Sequence, residues 1–98
     1  MNLNNIAKRT YLSALDRGKI SMVTDEDSLD KETIKSLLEE TTEVITADNC
    51  ASPHIPQFTH REEELADVII VCCTELYRRG VDIEDLLLKK VSFNEHRK

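Results

Sequence analysis

The sequence is poor in the residues that most often interrupt helices. It has only two glycines and two prolines, no tryptophan, and an aromatic content of 4%. Because Gly and Pro are the least favourable residues inside a helix, their scarcity favours helical structure. No low-complexity or Pro/Gly-rich tract occurs, so a disordered or linker-like chain is excluded.

Long apolar runs and ordered cysteine spacings are also missing. The longest uninterrupted apolar run, residues 68–73, is far too short to span a bilayer, and the first residues lack the apolar core of a signal peptide. The three cysteines are an odd number and do not have the spacing of a zinc site or a disulfide framework. We therefore expect reduced cysteines, no membrane partner and a cytoplasmic location.

The chain also lacks an excess of basic residues. The chain has 19 Asp and Glu residues against 13 Lys and Arg, which gives a formal net charge of -6. This charge disfavours a nucleic-acid backbone as the main partner, whereas a cation or a metal-chelated anion fits it better. The chain is 98 residues long, which predicts one domain over residues 1–98 with a modest core.

Apolar spacing and capping residues predict four helices. Thr59 and Glu62 have the spacing of a capping box, and Gly18 and Gly80 follow apolar stretches as helix stops. We assign residues 19–29 to a mobile polar connection. The four predicted helices run from Leu3 to Asp16, from an Asp30 cap to about Asp48, from Thr59 to Gly80, and from Asp82 towards Asn94.

The third helix contains the apolar run 68–73, which makes this part of the helix apolar on all sides. Such a helix must be covered on several faces, and a short four-helix chain alone can hardly provide that cover. The expected fold is therefore an all-α, four-helix bundle-like single domain assembled as an oligomer, either a homodimer or a homotetramer.

Two pairs of carboxylates indicate a site. The second helix carries Glu40 and Glu43, and the third carries Glu64 and Asp67. Each pair is three residues apart, so its members are neighbours on one helix face. A short loop between the helices favours an antiparallel hairpin that brings both pairs to one level. Four oxygen ligands with excess negative charge suit Mg²⁺, or alternatively Mn²⁺.

The competing interpretation is that these are solvated charges on amphipathic helices. Glu43 falls away from the apolar stripe of the second helix and Glu40 lies at its margin, which suits that interpretation. The small neighbours Ser36 and Ala47, which leave room for a ligand, favour a binding site instead.

The fourth helix carries a possible phosphate-binding face. Lys90, Asn94 and Arg97 follow i, i+4, i+7 spacing and therefore share one side of that helix. If the third and fourth helices form a tight hairpin around Gly80, Asn94 returns to the level of Asp67. Lys90 and Arg97 would then lie beside the metal and bind a polyphosphate. A frayed basic tail is the alternative.

Three ordered motifs carry a family resemblance. The segments LEETTEV at 38–44, EELADV at 63–68 and KVSFNEHR at 90–97 resemble the MazG-like branch of the all-α nucleoside triphosphate pyrophosphohydrolases. The resemblance covers residues 31–98. It implies a Mg²⁺-dependent enzyme that cuts a nucleoside triphosphate into the monophosphate and pyrophosphate.

The resemblance also implies roles for particular residues. The metal would be held by Glu40, Glu43, Glu64 and Asp67, while Lys90, Asn94 and Arg97 would bind phosphates. Glu39, or one of the metal-binding glutamates such as Glu40, would activate the attacking water. Many relatives place a Trp after the glycine that ends the first helix, whereas Lys19 follows Gly18 here.

The sequence does not fit two other classes of metal site. A di-iron bundle requires Glu-x-x-His pairs, which the sequence lacks, and the isolated pairs of Cys50 with His54 and of His60 with Glu64 have too few ligands for zinc. A non-catalytic helical module that binds a nucleotide or a protein stays open as the alternative function. The preferred base is not indicated, and we place neither Tyr11 nor Phe58 in the site.

Overall fold

A computed structural model of the protein describes residues 2–97, and these residues form four α-helices and no β-strand. The all-helical fold expected from the sequence is therefore confirmed. None of the described helices is long and apolar enough to cross a membrane. The helices are α1 (Leu3–Asp16), α2 (Glu26–Thr46), α3 (His60–Arg78) and α4 (Ile83–Glu95).

Local capping determines where three of these helices begin. Asn2 caps α1 by accepting a hydrogen bond from the Asn4 N–H, and Asp82 caps α4 by accepting from the Asp85 N–H. Thr59 caps α3 in a complete capping box with Glu62. The three predicted starts are confirmed because each rests on interactions within a few residues of the chain.

Helix α2 begins earlier than the sequence predicts. Its N-cap is Asp25, whose side chain accepts a hydrogen bond from the Ser28 N–H, whereas the predicted cap was Asp30. Asp30 lies inside the helix and pairs with Arg79 of α3 at an N···O distance of 2.8 Å. The predicted polar connection over residues 19–29 is therefore wrong for residues 26–29, which are helical.

Helix α3 lies at the centre of the packing, since it contacts each of the other three helices. The small core consists of Ala7, Cys73 and Ile83, which come from α1, α3 and α4. Partly buried side chains pack around it, namely Leu3, Leu76 and Tyr77. Helix α2 has no buried residue, although it packs along α3.

Helix α4 is attached through its first turn. Ile83 is 1% exposed, its N–H donates to Asn4 Oδ1 at 2.8 Å, and Glu84 accepts from the Leu3 N–H. From residue 85 to residue 97 every residue is exposed, and α4 does not contact α2. The predicted tight hairpin of α3 and α4 is therefore not observed, because the first turn of α4 is fastened to the start of α1.

Candidate functional site

The connection between α2 and α3 holds these two helices side by side. Across it, the His60 N–H donates to the Cys50 carbonyl at 2.8 Å and the Arg61 N–H donates to the Asp48 carbonyl at 3.0 Å. Ser52, which is 1% exposed, donates its hydroxyl hydrogen bond to Glu63 of α3. These bonds fix the register of the α2–α3 hairpin, and with it the relative positions of the side chains on the two helices.

The hairpin brings the two predicted carboxylate pairs together. Glu40 and Glu43 of α2 and Glu64 and Asp67 of α3 each offer an oxygen, and the four oxygens lie within 4.8 Å of one another. We call this group the carboxylate cluster. The four acidic side chains thus lie at one level of the hairpin, as their spacing in the sequence predicts.

Two members of the carboxylate cluster have a buried oxygen with no protein donor. Glu64 is 8% exposed, and His60 lies 3.2 Å from its Oε1. Its Oε2 is buried and has no hydrogen-bond partner among residues 2–97, and the same is true of Glu40 Oε2. Because a buried carboxylate oxygen without a partner is costly, each of these two atoms favours a bound proton or a bound cation.

The carboxylates also alter one another's protonation. Burial, followed by repulsion from Glu43 and Asp67, raises the pKa of Glu40 to about 7. Burial likewise raises the pKa of Glu64 and of Asp67 above their ordinary values, with like-charge repulsion contributing to both. The cluster therefore favours bound protons or a bound cation over four free negative charges.

The donor set fits Mg²⁺ or Mn²⁺. All four groups are carboxylates, which these hard cations prefer, and the cluster has no sulfur or imidazole ligand that would favour a softer metal. The cluster supplies at most a part of an octahedral shell, so water or substrate oxygens would complete it. It therefore suits a cation that acts on a bound ligand.

A cavity of about 450 Å³ adjoins the carboxylate cluster, and Glu40, Glu43 and Asp67 form part of its wall. This volume lies in the range of small-molecule pockets. Glu39 also lines the cavity but does not belong to the cluster. Thr74 of α3 lines it as well, where its hydroxyl donates to Thr10 of α1 at 2.8 Å.

The predicted phosphate-binding face does not reach the cluster within one chain. Lys90 and Asn94 are exposed on α4, whereas Arg97 is exposed beyond its end at Glu95 and is therefore not on the predicted helical face. None of the three lines the cavity. Lys90 instead lies over the ring of Phe93, 4.7 Å from its centroid. The predicted convergence is absent because it required the α3–α4 hairpin that the first turn of α4 prevents.

Two residues near the cluster were not placed there by the sequence reasoning. His60 contacts Glu64, and the sequence signal for this contact is their i, i+4 spacing, although the sequence favours neither a zinc pair nor a base contact for His60. Lys19 lines the cavity although it precedes α2, and no spacing rule links it to the carboxylates. The aromatic residues left out of the site lie elsewhere: Tyr11 packs on Tyr77 with ring centroids 5.0 Å apart, and Phe58 is exposed.

Comparison of the chain with protein-family models, with curated proteins and with solved structures gave no match. The family resemblance accordingly rests on the three sequence motifs alone.

Proposed function

We propose that this protein hydrolyses a (deoxy)nucleoside triphosphate to the monophosphate and pyrophosphate with the help of Mg²⁺, with Mn²⁺ as a possible substitute. The observation that carries the proposal is the carboxylate cluster, which combines two unpartnered buried oxygens with an adjacent cavity of about 450 Å³. The three family-like motifs support it, because two of them contain the four clustered residues.

The chemistry of the site supports this reaction class. When bound, Mg²⁺ would offset charge on the phosphates and help to activate water. Glu40, Glu43, Glu64 and Asp67 would hold the metal, and Glu39, which lines the cavity, would orient the attacking water. Glu40, which also lines the cavity, is the other candidate for accepting a proton from the water. The cavity beside the cluster would hold the nucleoside part.

Assembly is part of the proposal. Large apolar side chains are exposed on α2, on α3 and above all on α4, where Leu88 is 71% exposed and Phe93 is 58% exposed. Soluble monomers rarely expose so much apolar surface, so we expect a second copy to cover it in a homodimer or homotetramer. If α4 of one protomer lies against its partner, Lys90, Asn94 and Arg97 can serve the partner's site.

A nucleotide panel tests the activity. The protein is incubated with canonical and modified triphosphates and Mg²⁺ or Mn²⁺, and both nucleoside and phosphate products are analysed. Monophosphate with pyrophosphate is expected, and Asp67→Asn should abolish it. Glu26→Gln is the matched control, because Glu26 is exposed in the first turn of α2 and does not line the cavity. Orthophosphate and diphosphate as products would reject this mechanism.

One observation favours a second candidate function, a non-catalytic module that binds a nucleotide or a protein. Within one chain the carboxylate cluster lacks the cations of α4, which would otherwise offset charge on departing phosphates. Such a module would bind Mg²⁺ and a nucleotide without any monophosphate forming above the Asp67→Asn control, and the same panel separates the two.

A further inference from the structure

The segment that joins α1 to α2 is held by hydrogen bonds in its first part, at Lys19 and at Ser21. After α1, Gly18 adopts a φ of +69°, and the Lys19 N–H donates to the Ala14 carbonyl at 2.9 Å. Ile20 is buried. Ser21 then bonds to Glu32 of α2 through both its N–H and its hydroxyl, and its carbonyl accepts from Arg78 at 3.1 Å. The backbone of Lys19 therefore has a fixed position between two anchors.

This position puts a cation on the wall of the cavity that adjoins the carboxylate cluster. Lys19 is exposed and lines the same cavity as Glu40, Glu43 and Asp67. Its positive charge acts on two of them, since it lowers the pKa of Glu40 and of Asp67 against the larger effect of burial. Arg17 and Lys35 also line the cavity, but neither is among the largest causes of these shifts.

The carboxylates at this site would repel a polyphosphate, and Lys19 would reduce that repulsion. One divalent cation neutralises only part of the charge of the four carboxylates, so the site would still repel an incoming anion. Within one chain Lys90 and Arg97 do not line the cavity, whereas Lys19 does. An ammonium group on a flexible stem, with three donors, is well suited to bind phosphate oxygens.

We propose that Lys19 is a phosphate-binding residue, which contacts the metal-bound polyphosphate from the α1–α2 connection of the same chain. The inference rests on the proposed function, because it assumes that the carboxylate cluster holds a metal. It adds a binding residue outside the three motifs, at a position fixed by Ala14, Ser21 and Arg78. The ligand class is a Mg²⁺ complex of pyrophosphate or of a nucleoside triphosphate.

The competing role for Lys19 is that of a counterion which only offsets the carboxylate charge. The two roles differ when Mg²⁺ and phosphate are added separately. If Lys19 binds phosphate, Lys19→Ala should weaken phosphate binding while Mg²⁺ alone binds as well as before or better, because a competing positive charge has been removed. A counterion that makes no phosphate contact acts only through its charge, so its loss should strengthen Mg²⁺ binding and weaken phosphate binding by much less than the loss of a direct hydrogen bond does.

Calorimetry on the full chain tests the proposal. Mg²⁺ alone, Mg²⁺ with pyrophosphate, and Mg²⁺ with an α,β-methylene triphosphate analogue are titrated into the wild type, Lys19→Ala and Lys19→Arg. In Lys19→Ala, loss of a charge-assisted hydrogen bond should lower the affinity for both phosphate ligands roughly tenfold. Lys19→Arg, which keeps the charge, should retain most of the affinity. Lys31→Ala is the control, because Lys31 pairs with Asp27 and does not line the cavity.

The outcomes separate this inference from the proposed function. Equal phosphate affinity in the wild type and Lys19→Ala overturns the inference, and triphosphate hydrolysis by the wild type would then still support the proposed function. Lys19-dependent binding of Mg²⁺ and pyrophosphate without hydrolysis of any triphosphate supports the inference and rejects the enzyme. Failure of the wild type to bind either phosphate ligand overturns both.

Discussion

Arg78 of α3 reaches Glu32 of α2, with an N···O distance of 2.8 Å, and its guanidinium also contacts the buried Glu75 at 3.2 Å. The Arg78 side chain is 4% exposed. It therefore joins the two helices that carry the carboxylate cluster and neutralises a carboxylate that has little access to water.

Removal of Arg78 should accordingly destabilise the protein strongly. Arg78→Met leaves Glu75 buried with a weaker partner, so we expect a loss of about 3 kcal/mol in the free energy of unfolding. Arg79→Met is the comparison, because Arg79 is more exposed and its pairs should contribute about 1 kcal/mol or less. Denaturant unfolding measures both variants. Equal effects of the two substitutions would contradict the role given to Arg78.

Mg²⁺ binding should depend on both helices of the α2–α3 hairpin. Glu40→Gln and Asp67→Asn each remove one charged ligand from a different helix, and each should weaken Mg²⁺ binding roughly tenfold or more. Calorimetry with Mg²⁺ alone measures this effect, with Glu26→Gln as the control for loss of one negative charge on α2. Unchanged affinity in either variant would remove that residue from the site.

The metal-free protein should lose stability as the pH rises from about 5 to 8. The pKa of Glu40 is about 7 in the folded chain and 4.5 ordinarily, so in this range the folded chain holds a proton that the unfolded chain has released. The free energy of unfolding therefore falls as the pH rises through this window. The raised pKa values of Glu64 and Asp67 act in the same direction.

Thermal unfolding in the presence of a chelator measures this pH dependence. The melting temperature of the wild type should decrease over the window, and that of Glu40→Gln should decrease less. Saturating Mg²⁺ at pH 8 should restore stability to the wild type, because the cation replaces the lost proton. A wild-type melting temperature that rises or stays level between pH 5 and 8 would contradict the prediction.

Asp25, not Asp30, should determine the start of α2. Asp25→Ala removes the side chain that accepts from the Ser28 N–H, and such a cap contributes about 1 kcal/mol. Asp30→Ala removes a half-exposed ion pair with Arg79, which should contribute about 0.5 kcal/mol or less. Chemical unfolding of the two variants compares them directly. A larger loss in Asp30→Ala would restore the boundary predicted from the sequence.

The exposed apolar face of α4 should mediate assembly. Light scattering at micromolar concentration should give a mass at least twice the 11.2 kDa of one chain. Leu88→Glu places a charge on the face that a second copy would cover, so it should shift the protein towards the monomer. Ser13→Glu adds the same charge at an exposed position of α1 and should leave the mass unchanged. A stable wild-type monomer would reject assembly.

The parts of the structure that the sequence predicts are those set by nearby residues. Thr59 and Glu62 bond to each other's backbone across three residues, so their spacing alone locates the start of α3. The carboxylate cluster was predictable for a related reason. A loop of known length fixes which positions on α2 and α3 face each other, and the distances from the loop to Glu43 and Glu64 are nearly equal.

The parts that it does not predict depend on contacts distant in sequence. Asp25 and Asp30 are equally good caps by residue type, and only the pairing of Asp30 with Arg79 shows that Asp30 belongs inside the helix. The direction of α4 follows from the bond between Ile83 and Asn4, which are 79 residues apart. Helical spacing groups Lys90 with Asn94 and Arg97, but it shows neither that α4 ends at Glu95, before Arg97, nor the angle between two helices.

The buried, unpartnered oxygens of Glu40 and Glu64 should lower the stability of the metal-free protein while serving the proposed binding of a cation. Neutral replacements at the carboxylate cluster would relieve the repulsion and make the empty hairpin more robust, at the cost of its capacity for a cation. Directed evolution for heat resistance alone would thus favour Gln and Asn at these positions. Neutral substitutions at the four positions should therefore be tolerated in the presence of a chelator and selected against where Mg²⁺ binding is required.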